Sequence, residues 1–154
     1  MAEVREKTEA DDVAGLVALA TEDLRRVYRR AVYADGPATP EADHAAISLV
    51  AVEGEAIVGI IEYCEKEDSL YVRGLAVRPE ERRRGVAKAL IREVEAIAAR
   101  EAKLKVTLST IKETGNPTIF AKLGYNIVNQ APATGFESLD GQSVTKVNMC
   151  RMLA

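Results

Sequence analysis

The sequence predicts an α+β domain in which a mixed, mostly antiparallel sheet with one parallel central pair of strands is flanked by helices. Two runs rich in valine and isoleucine, 46–52 and 56–64, are joined by Glu-Gly-Glu at 53–55, a signal for an antiparallel hairpin. A third strand-like run, 70–77, is followed by an amphipathic helix and then by alternating apolar residues at 104–110. A helix between two strands indicates that the strands run parallel.

Composition and length favour one globular domain covering residues 1–154. Of the residues, 47% are hydrophobic and 29% are charged, and no apolar run reaches the length needed to cross a bilayer. The N-terminal sequence is charged and lacks the apolar stretch of a secretory signal, so we expect a cytoplasmic protein that does not bind membranes. The net charge of −3 gives no reason to expect nucleic acid as a partner.

Metal-binding and disulfide patterns are not evident. Cys64 and Cys150 are far apart, and His44 is the single histidine of the chain. This spacing does not fit a metal site, and in a reducing compartment we expect both thiols to be packed side chains. We therefore expect no metal cofactor.

The N-terminal region predicts a short strand at 4–7 and then a helix. Thr8 and Asp11 form a capping-box-like pattern, and the apolar periodicity behind them continues to about Arg30. Four arginines crowd the expected last turns of this helix, where cations suit the helix dipole: Arg25, Arg26, Arg29 and Arg30. An anionic-substrate site is the alternative interpretation of these arginines.

The C-terminal region predicts a short helix at 117–123 and two strands. Asn116 can cap this helix, and Gly124 suits the residue just past its end. One strand is expected to begin at Ile127, and the last strand covers 144–152.

The segment between run 70–77 and the helix after it has the features of a phosphate site. The helix carries an apolar stripe of Val86, Leu90, Val94 and Ile97, and Lys88, Arg92 and Glu95 are placed on its other side. At the helix start, N–H groups without intrahelical acceptors and the helix dipole favour an anion. Gly85 leaves room for close approach, and the arginines at 82–84 add full charges. A solvated, charged helix start is the alternative.

Two motifs in this order resemble those of the GNAT superfamily of N-acetyltransferases. Residues 82–87, with the pattern Arg-x-x-Gly-x-Ala behind a strand that ends near Pro79, resemble the acetyl-CoA pyrophosphate signature. Residues 116–125, which end in Leu-Gly-Tyr, resemble the second motif with somewhat shortened spacing. The resemblance covers about residues 47–128 strongly and the remainder loosely.

The resemblance implies a GNAT-like fold and an acetyl-CoA-dependent N-acetyltransferase. Such an enzyme transfers the acetyl group to a primary amine of a small molecule or protein by direct attack in a ternary complex. A bulge at Gly74 would let strands 70–77 and 104–110 splay apart around the pantetheine arm of acetyl-CoA. The residues that this assigns to the cofactor are Leu75, Ala76, Val77, Arg82, Arg83, Arg84, Gly85, Val86, Ala87, Asn116 and Phe120. The family's habit also suggests a homodimer.

Proton transfer is where the sequence departs from the family pattern. Phe120 stands where a tyrosine often donates a proton to the thiolate, and Arg73 approximately replaces a common glutamate. Glu62 is a candidate base and Tyr71 a candidate donor, although an exposed strand residue and a packing residue are the plainer interpretations. A non-catalytic acyl-CoA-binding sensor is therefore the alternative function.

Prolines, a glycine and small polar residues predict a loop at 33–44. By the same resemblance, this loop shapes the acceptor pocket. Asp35, Glu41 and Asp43 would then favour a cationic amine, and His44 could serve as a base at the pocket mouth. A merely solvated loop is an equal alternative.

Overall fold

The computed structural model describes residues 2–30 and 46–153, which form one eight-stranded sheet with helices on both faces. The strands are β1 (Glu3–Glu6), β2 (Tyr28–Arg30), β3 (Ala46–Glu53), β4 (Ala56–Glu65), β5 (Ser69–Val77), β6 (Lys105–Ile111), β7 (Asn126–Ser138) and β8 (Ser143–Met152). The helices are α1 (Ala14–Arg25), α2 (Val86–Arg100) and α3 (Asn116–Lys122). Across the sheet the strands follow the order β1-β3-β4-β5-β6-β8-β7-β2. No helix in this described part of the chain combines the length and apolar character needed to cross a bilayer.

The mixed sheet confirms the predicted fold class. Strands β5 and β6, which α2 connects, are parallel neighbours, whereas the other strand pairs are antiparallel. The predicted hairpin joins β3 to β4 through Gly54, whose φ of 61° is a conformation that favours glycine. Gly124, at φ 99°, follows the end of α3 as predicted.

The first helix is shorter than predicted, because its expected last turn is a strand. Helix α1 ends at Arg25, and β2 then pairs with β7, opposite residues 136–138. The Tyr28 ring packs edge-on against Phe136, with 5.7 Å between ring centroids, and Arg29 forms an ion pair with Glu137 at 3.1 Å. These contacts with a distant strand outweigh the local helical periodicity, so only Arg25 of the four arginines occupies the last turn of the helix.

The predicted capping box at Thr8 and Asp11 closes a turn before the helix. The Asp11 carboxylate accepts hydrogen bonds from the backbone N–H and the hydroxyl of Thr8, at 2.8 and 3.1 Å. Arg5 donates two more hydrogen bonds to it, at 2.8 and 2.9 Å, and the pKa of Asp11 is lowered mainly by this arginine. The helix begins three residues later, where Asp12 accepts a hydrogen bond from the N–H of Ala14.

Each face of the sheet is covered by a helix. Helix α2 buries Val86, Leu90 and Val94 in the larger core, whereas Leu16 of α1 packs on the opposite face. Gly59 in β4 allows the close approach of α2, since a Cβ atom there would lie 2.8 Å from Val86 Cγ1 and 3.0 Å from Leu90 Cδ1. The position of the first turn of α2 therefore depends on a glycine in the neighbouring strand.

Candidate functional site

Strands β5 and β6 separate halfway along their length. Residues 69–72 of β5 pair with residues 105–108 of β6, and beyond this point the two strands no longer pair with each other. On its other side β5 continues to pair with β4, but with a shift in register that leaves Arg73 as an extra residue next to Gly74. This confirms the predicted bulge at Gly74. Residues 74–77 and 109–111 therefore face each other across a gap with backbone groups that are not paired across it.

A cavity of about 500 Å³ occupies this gap. It is lined by Leu24, Tyr28, Val72, Arg73, Gly74, Leu75, Leu108, Ser109, Thr110, Ile111, Thr114, Asn116, Phe120, Pro132, Ala133, Thr134, Phe136 and Lys146. Phe120 of α3 packs against the same core as α2, whereas Leu24 belongs to α1 on the opposite face. The cavity is therefore lined from both faces of the sheet, so two molecules could approach each other through the gap.

The start of α2 has the geometry of an anion site. Gly85 precedes the first helical residue with φ 81° and ψ 10°, and no side chain caps the helix. A Cβ atom on Gly85 would meet nothing within 4 Å, so the space beside the first turn is open. The N–H groups of that turn have no intrahelical acceptors, and the helix dipole makes this end partly positive.

The arginines before Gly85 are exposed and directly precede this open helix start. Arg83 has a positive φ of 67°, which turns the chain sharply into the helix. The Nε atom of Arg82 donates a hydrogen bond to the carbonyl of Val77 at 3.4 Å, and Arg84 lies 3.5 Å from the Glu81 carboxylate. The loop is thus tied to the end of β5, next to the gap between the strands.

Helix α3 presents Asn116 and Phe120 to the cavity. Gly115, at φ 80°, occupies the N-cap position and no side chain caps the helix, so the predicted capping role of the Asn116 side chain is wrong. The backbone N–H of Asn116 donates instead to the Thr114 hydroxyl at 3.1 Å. Consequently the side-chain amide of Asn116 is available to a ligand in the cavity.

A buried polar cluster holds the end of α3 against α2 and β8. Glu95, which the helical pattern placed on an exposed side of α2, is 8% exposed. Its carboxylate accepts hydrogen bonds from Arg92 at 2.7 Å, Arg151 at 2.8 Å and the Tyr125 hydroxyl at 2.9 Å. Burial, and next the charge of Glu95, raise the pKa of Tyr125 far above its ordinary value, so this hydroxyl stays protonated. The predicted exposure of Glu95 is wrong because two of its partners, Tyr125 and Arg151, come from distant parts of the chain.

The predicted cofactor residues are only partly brought together at the cavity. Leu75, Asn116 and Phe120 line it, but Ala76 is buried on the α1 face and Val77 does not line the cavity. The loop at 82–87 lies outside the lining, beyond the end of β5.

Neither candidate catalytic residue lines the cavity. Glu62 forms an ion pair with Arg73, and Arg73 lines the cavity. The Arg73 side chain therefore links the Glu62 carboxylate to the cavity. The ring of Tyr71 lies beneath the Lys66 ammonium, 5.8 Å from the ring centroid. The predicted loop at 33–44, with Asp35, Glu41, Asp43 and His44, lies outside the described residues.

Sequence reasoning missed several residues of the cavity. Tyr28 and Phe136 form one wall, and Lys146 reaches the cavity from β8. Burial raises the pKa of Tyr28, so its hydroxyl is neutral at physiological pH. No local signal marks these residues, since a strand of three residues and the register of β8 become visible only in the folded sheet.

The sequence matches the profile of the Acetyltransferase (GNAT) family over residues 13–125. No curated protein matches the chain significantly.

Solved structures share the fold over nearly the whole chain. A GCN5-related N-acetyltransferase from Kribbella flavida has a TM-score of 0.73 at 18% identity, covering 99% of this chain and 98% of its own. A GNAT family acetyltransferase from Elizabethkingia anophelis with acetyl-CoA bound has a TM-score of 0.67 at 13% identity, covering 99% and 98%. An aminoglycoside 6'-N-acetyltransferase complexed with coenzyme A has a TM-score of 0.69 at 17% identity, covering 97% and 96%.

Proposed function

This chain belongs to the GNAT family of acetyltransferases, and we propose that it transfers the acetyl group of acetyl-CoA to a primary amine of a small molecule or protein. The observation that carries the proposal is the separation of β5 from β6 around a cavity lined from both faces of the sheet. Such a passage lets the thioester enter from one face and the amine from the other. The reaction then proceeds by direct attack in a ternary complex.

The cofactor follows the gap and the helix start beside it. Unpaired backbone groups of 75–77 suit pantetheine, which is itself a chain of amides. The diphosphate lies against the first turn of α2, where the N–H groups of 85–87 and the arginines at 82–84 meet it. Asn116 and Phe120 contact the cofactor near its thiol end. Neighbouring structures solved with acetyl-CoA or CoA support the choice of acetyl-CoA as the co-substrate.

The chemistry requires a neutral amine, support for the oxyanion and a proton for the departing thiolate. The amine nitrogen attacks the thioester carbonyl, the C–S bond breaks, and the amine loses one proton while the sulfur gains one. Holding both reactants in line can supply about 7–11 kcal/mol of the barrier. A backbone N–H of the separated part of β5 serves as the oxyanion donor, which typically contributes about 10²–10³ in rate.

Glu62 is the proposed base and Tyr71 the proposed proton donor. Because Glu62 reaches the cavity only through its partner Arg73, it acts through water. Phe120 lines the cavity but cannot donate a proton. Replacing Glu62 by glutamine is expected to lower kcat, with the Kd of CoA unchanged.

A non-catalytic acyl-CoA sensor remains the second candidate, favoured by Phe120 at the cavity in place of a proton donor. Isothermal titration with acetyl-CoA, combined with a thiol-release assay over a panel of amines, separates the two functions. We expect binding together with amine-dependent thiol release. Binding without release on any amine would favour the sensor.

A cytoplasmic location and a homodimer remain predictions from the sequence and the family resemblance. Light scattering at high protein concentration tests the dimer, and a monomer there would refute it.

A further inference from the structure

Two cations line the cavity on one face of the sheet. Glu62 lies between Ile61 and Tyr63, which are buried in the α2-side core, so its side chain projects towards the α1 side. The guanidinium of Arg73 forms an ion pair with Glu62 and therefore lies on the same side. Lys146 precedes Val147, another residue of the α2-side core, so alternation places the lysine on the α1 side as well. The cofactor is proposed to bind on the face that carries α2 and α3. Both charges therefore lie on the opposite face.

Arg73 is paired with Glu62, which does not line the cavity, and Lys146 has no carboxylate partner among the described residues. The described residues that line it include neither aspartate nor glutamate. Arg73 donates one hydrogen bond, from Nη2 to Glu62, which leaves its other N–H groups for a ligand. Lys146 has no hydrogen-bond or ion-pair partner among residues 2–30 and 46–153, and 33–44 lies outside the described part.

On the α1 side, the wall of the cavity is largely apolar, and the space that it encloses is limited. Leu24, Tyr28 and Phe136 form a wall in which the two rings meet edge-on. The volume of about 500 Å³ is shared with the reactive end of the cofactor, so it leaves room for a compact acceptor only.

We propose that the acceptor is a small amine that also carries a carboxylate, and that Arg73 and Lys146 bind this carboxylate on the α1 side of the cavity. The inference rests on the proposed transferase function and names the substrate class of that site. A guanidinium presents parallel N–H groups that match the two oxygens of a carboxylate, and an ammonium adds a second charge.

The charge of Lys146 also acts on the reacting nitrogen. A nearby positive charge disfavours protonation of an amine, so Lys146 increases the fraction of neutral nucleophile, whereas the charge of Arg73 is offset by Glu62. A polyamine gains nothing at this site, because its additional ammonium groups are repelled. The acidic residues of 33–44 favour the opposite, a cationic acceptor, so the two interpretations predict different substrates.

The test compares matched pairs of acceptors with acetyl-CoA by thiol release. The panel consists of β-alanine and the α-amino acids other than cysteine and proline, each paired with its amide, together with 1,5-diaminopentane. An amide keeps the amine but lacks the carboxylate, and its amine is less protonated, so intrinsic reactivity favours the amide. A preference for the acid therefore reports binding of the carboxylate.

We expect at least one amino acid to exceed its amide in kcat/KM by about tenfold or more, which is the size of one hydrogen bond to a charged group. Lys146→Ala should bring this ratio close to one, chiefly through KM, whereas Lys146→Arg should keep it. Lys122→Ala, on the exposed last turn of α3 and outside the cavity lining, is the matched control and should leave the ratio unchanged.

The possible failures are distinguishable. Acetylation of amides or diaminopentane at least as efficiently as the acids would overturn the carboxylate site while the transferase function stands. A preference for acids that persists undiminished in Lys146→Ala and in Arg73→Gln would overturn the assignment to these residues. Turnover on none of these acceptors would overturn the carboxylate site, and the transferase function falls with it only if the wider panel of amines also gives acetyl-CoA binding without thiol release.

Discussion

Replacing Gly85 by glutamate is expected to remove CoA binding while the fold survives. Gly85 adopts φ 81° and ψ 10°, a left-handed conformation that costs a residue with a Cβ atom about 1–2 kcal/mol. No atom lies within 4 Å of a Cβ placed there, so this conformational cost is the whole expected loss of folding stability. A domain of ordinary stability tolerates such a loss.

The loss of binding should be larger than the loss of stability. A carboxylate about 5 Å from the diphosphate repels each of its charges by about 1–3 kcal/mol, depending on how much water intervenes. The added bulk also displaces the diphosphate from N–H groups whose hydrogen bonds to a charged ligand contribute about 1.5–3 kcal/mol each. A loss of about 3 kcal/mol is roughly a 100-fold or greater increase in the Kd of CoA.

Isothermal titration with CoA and thermal unfolding measure the two effects separately. Gly54→Ala is the matched control, because Gly54 also has a positive φ, 61°, with open space around its Cβ position, but lies in the β3–β4 turn. We expect Gly54→Ala to lose similar stability to Gly85→Glu, because both losses come from a Cβ atom at positive φ, and to bind CoA normally. An unchanged Kd in Gly85→Glu, or an equal loss of affinity in Gly54→Ala, would refute the assignment of the diphosphate to this helix start.

Three further predictions concern the support of the site. Gly59→Ala should push the first turn of α2 away from β4, lowering both the melting temperature and CoA affinity; loss of stability without loss of affinity would contradict the coupling. Glu95→Gln should cost about 1–3 kcal/mol of unfolding free energy in denaturant titrations, since two arginines and Tyr125 lose a charged acceptor, and a neutral result would show that the cluster is dispensable. Phe120→Tyr, which offers a proton donor at the cavity, should raise kcat in thiol release by up to about 10² with an unchanged Kd for CoA; no gain would mean that protonation of the thiolate does not limit turnover.

Much of the fold could be predicted because its signals are local. The hairpin turn at Gly54, the apolar stripe of α2 and the glycine after α3 each depend on residues close in sequence, and all three appear as predicted. The start of α2 directly after Gly85 also appears as predicted, because it too depends on residues close in sequence. The anion site at this helix start stays a prediction.

Other features depended on partners that are distant in sequence. The expected end of α1 became β2 because Tyr28 and Arg29 find Phe136 and Glu137, more than one hundred residues away. Glu95 is buried because Arg151 and Tyr125 converge on it from β8 and from the residue preceding β7. A periodicity argument treats such residues as solvated, since it contains no information about what approaches the helix from outside.

By itself, the sequence determined the mixed sheet, the strand-loop-helix unit in which Gly85 precedes the helix, and the family to which the chain belongs. Only the tertiary structure decided where β5 parts from β6, which side chains line the cavity there and which cations are among them. The physical reason is that helix starts and turns are specified by neighbouring residues, whereas a cavity is formed by strands whose register and spacing depend on the packing of the whole sheet.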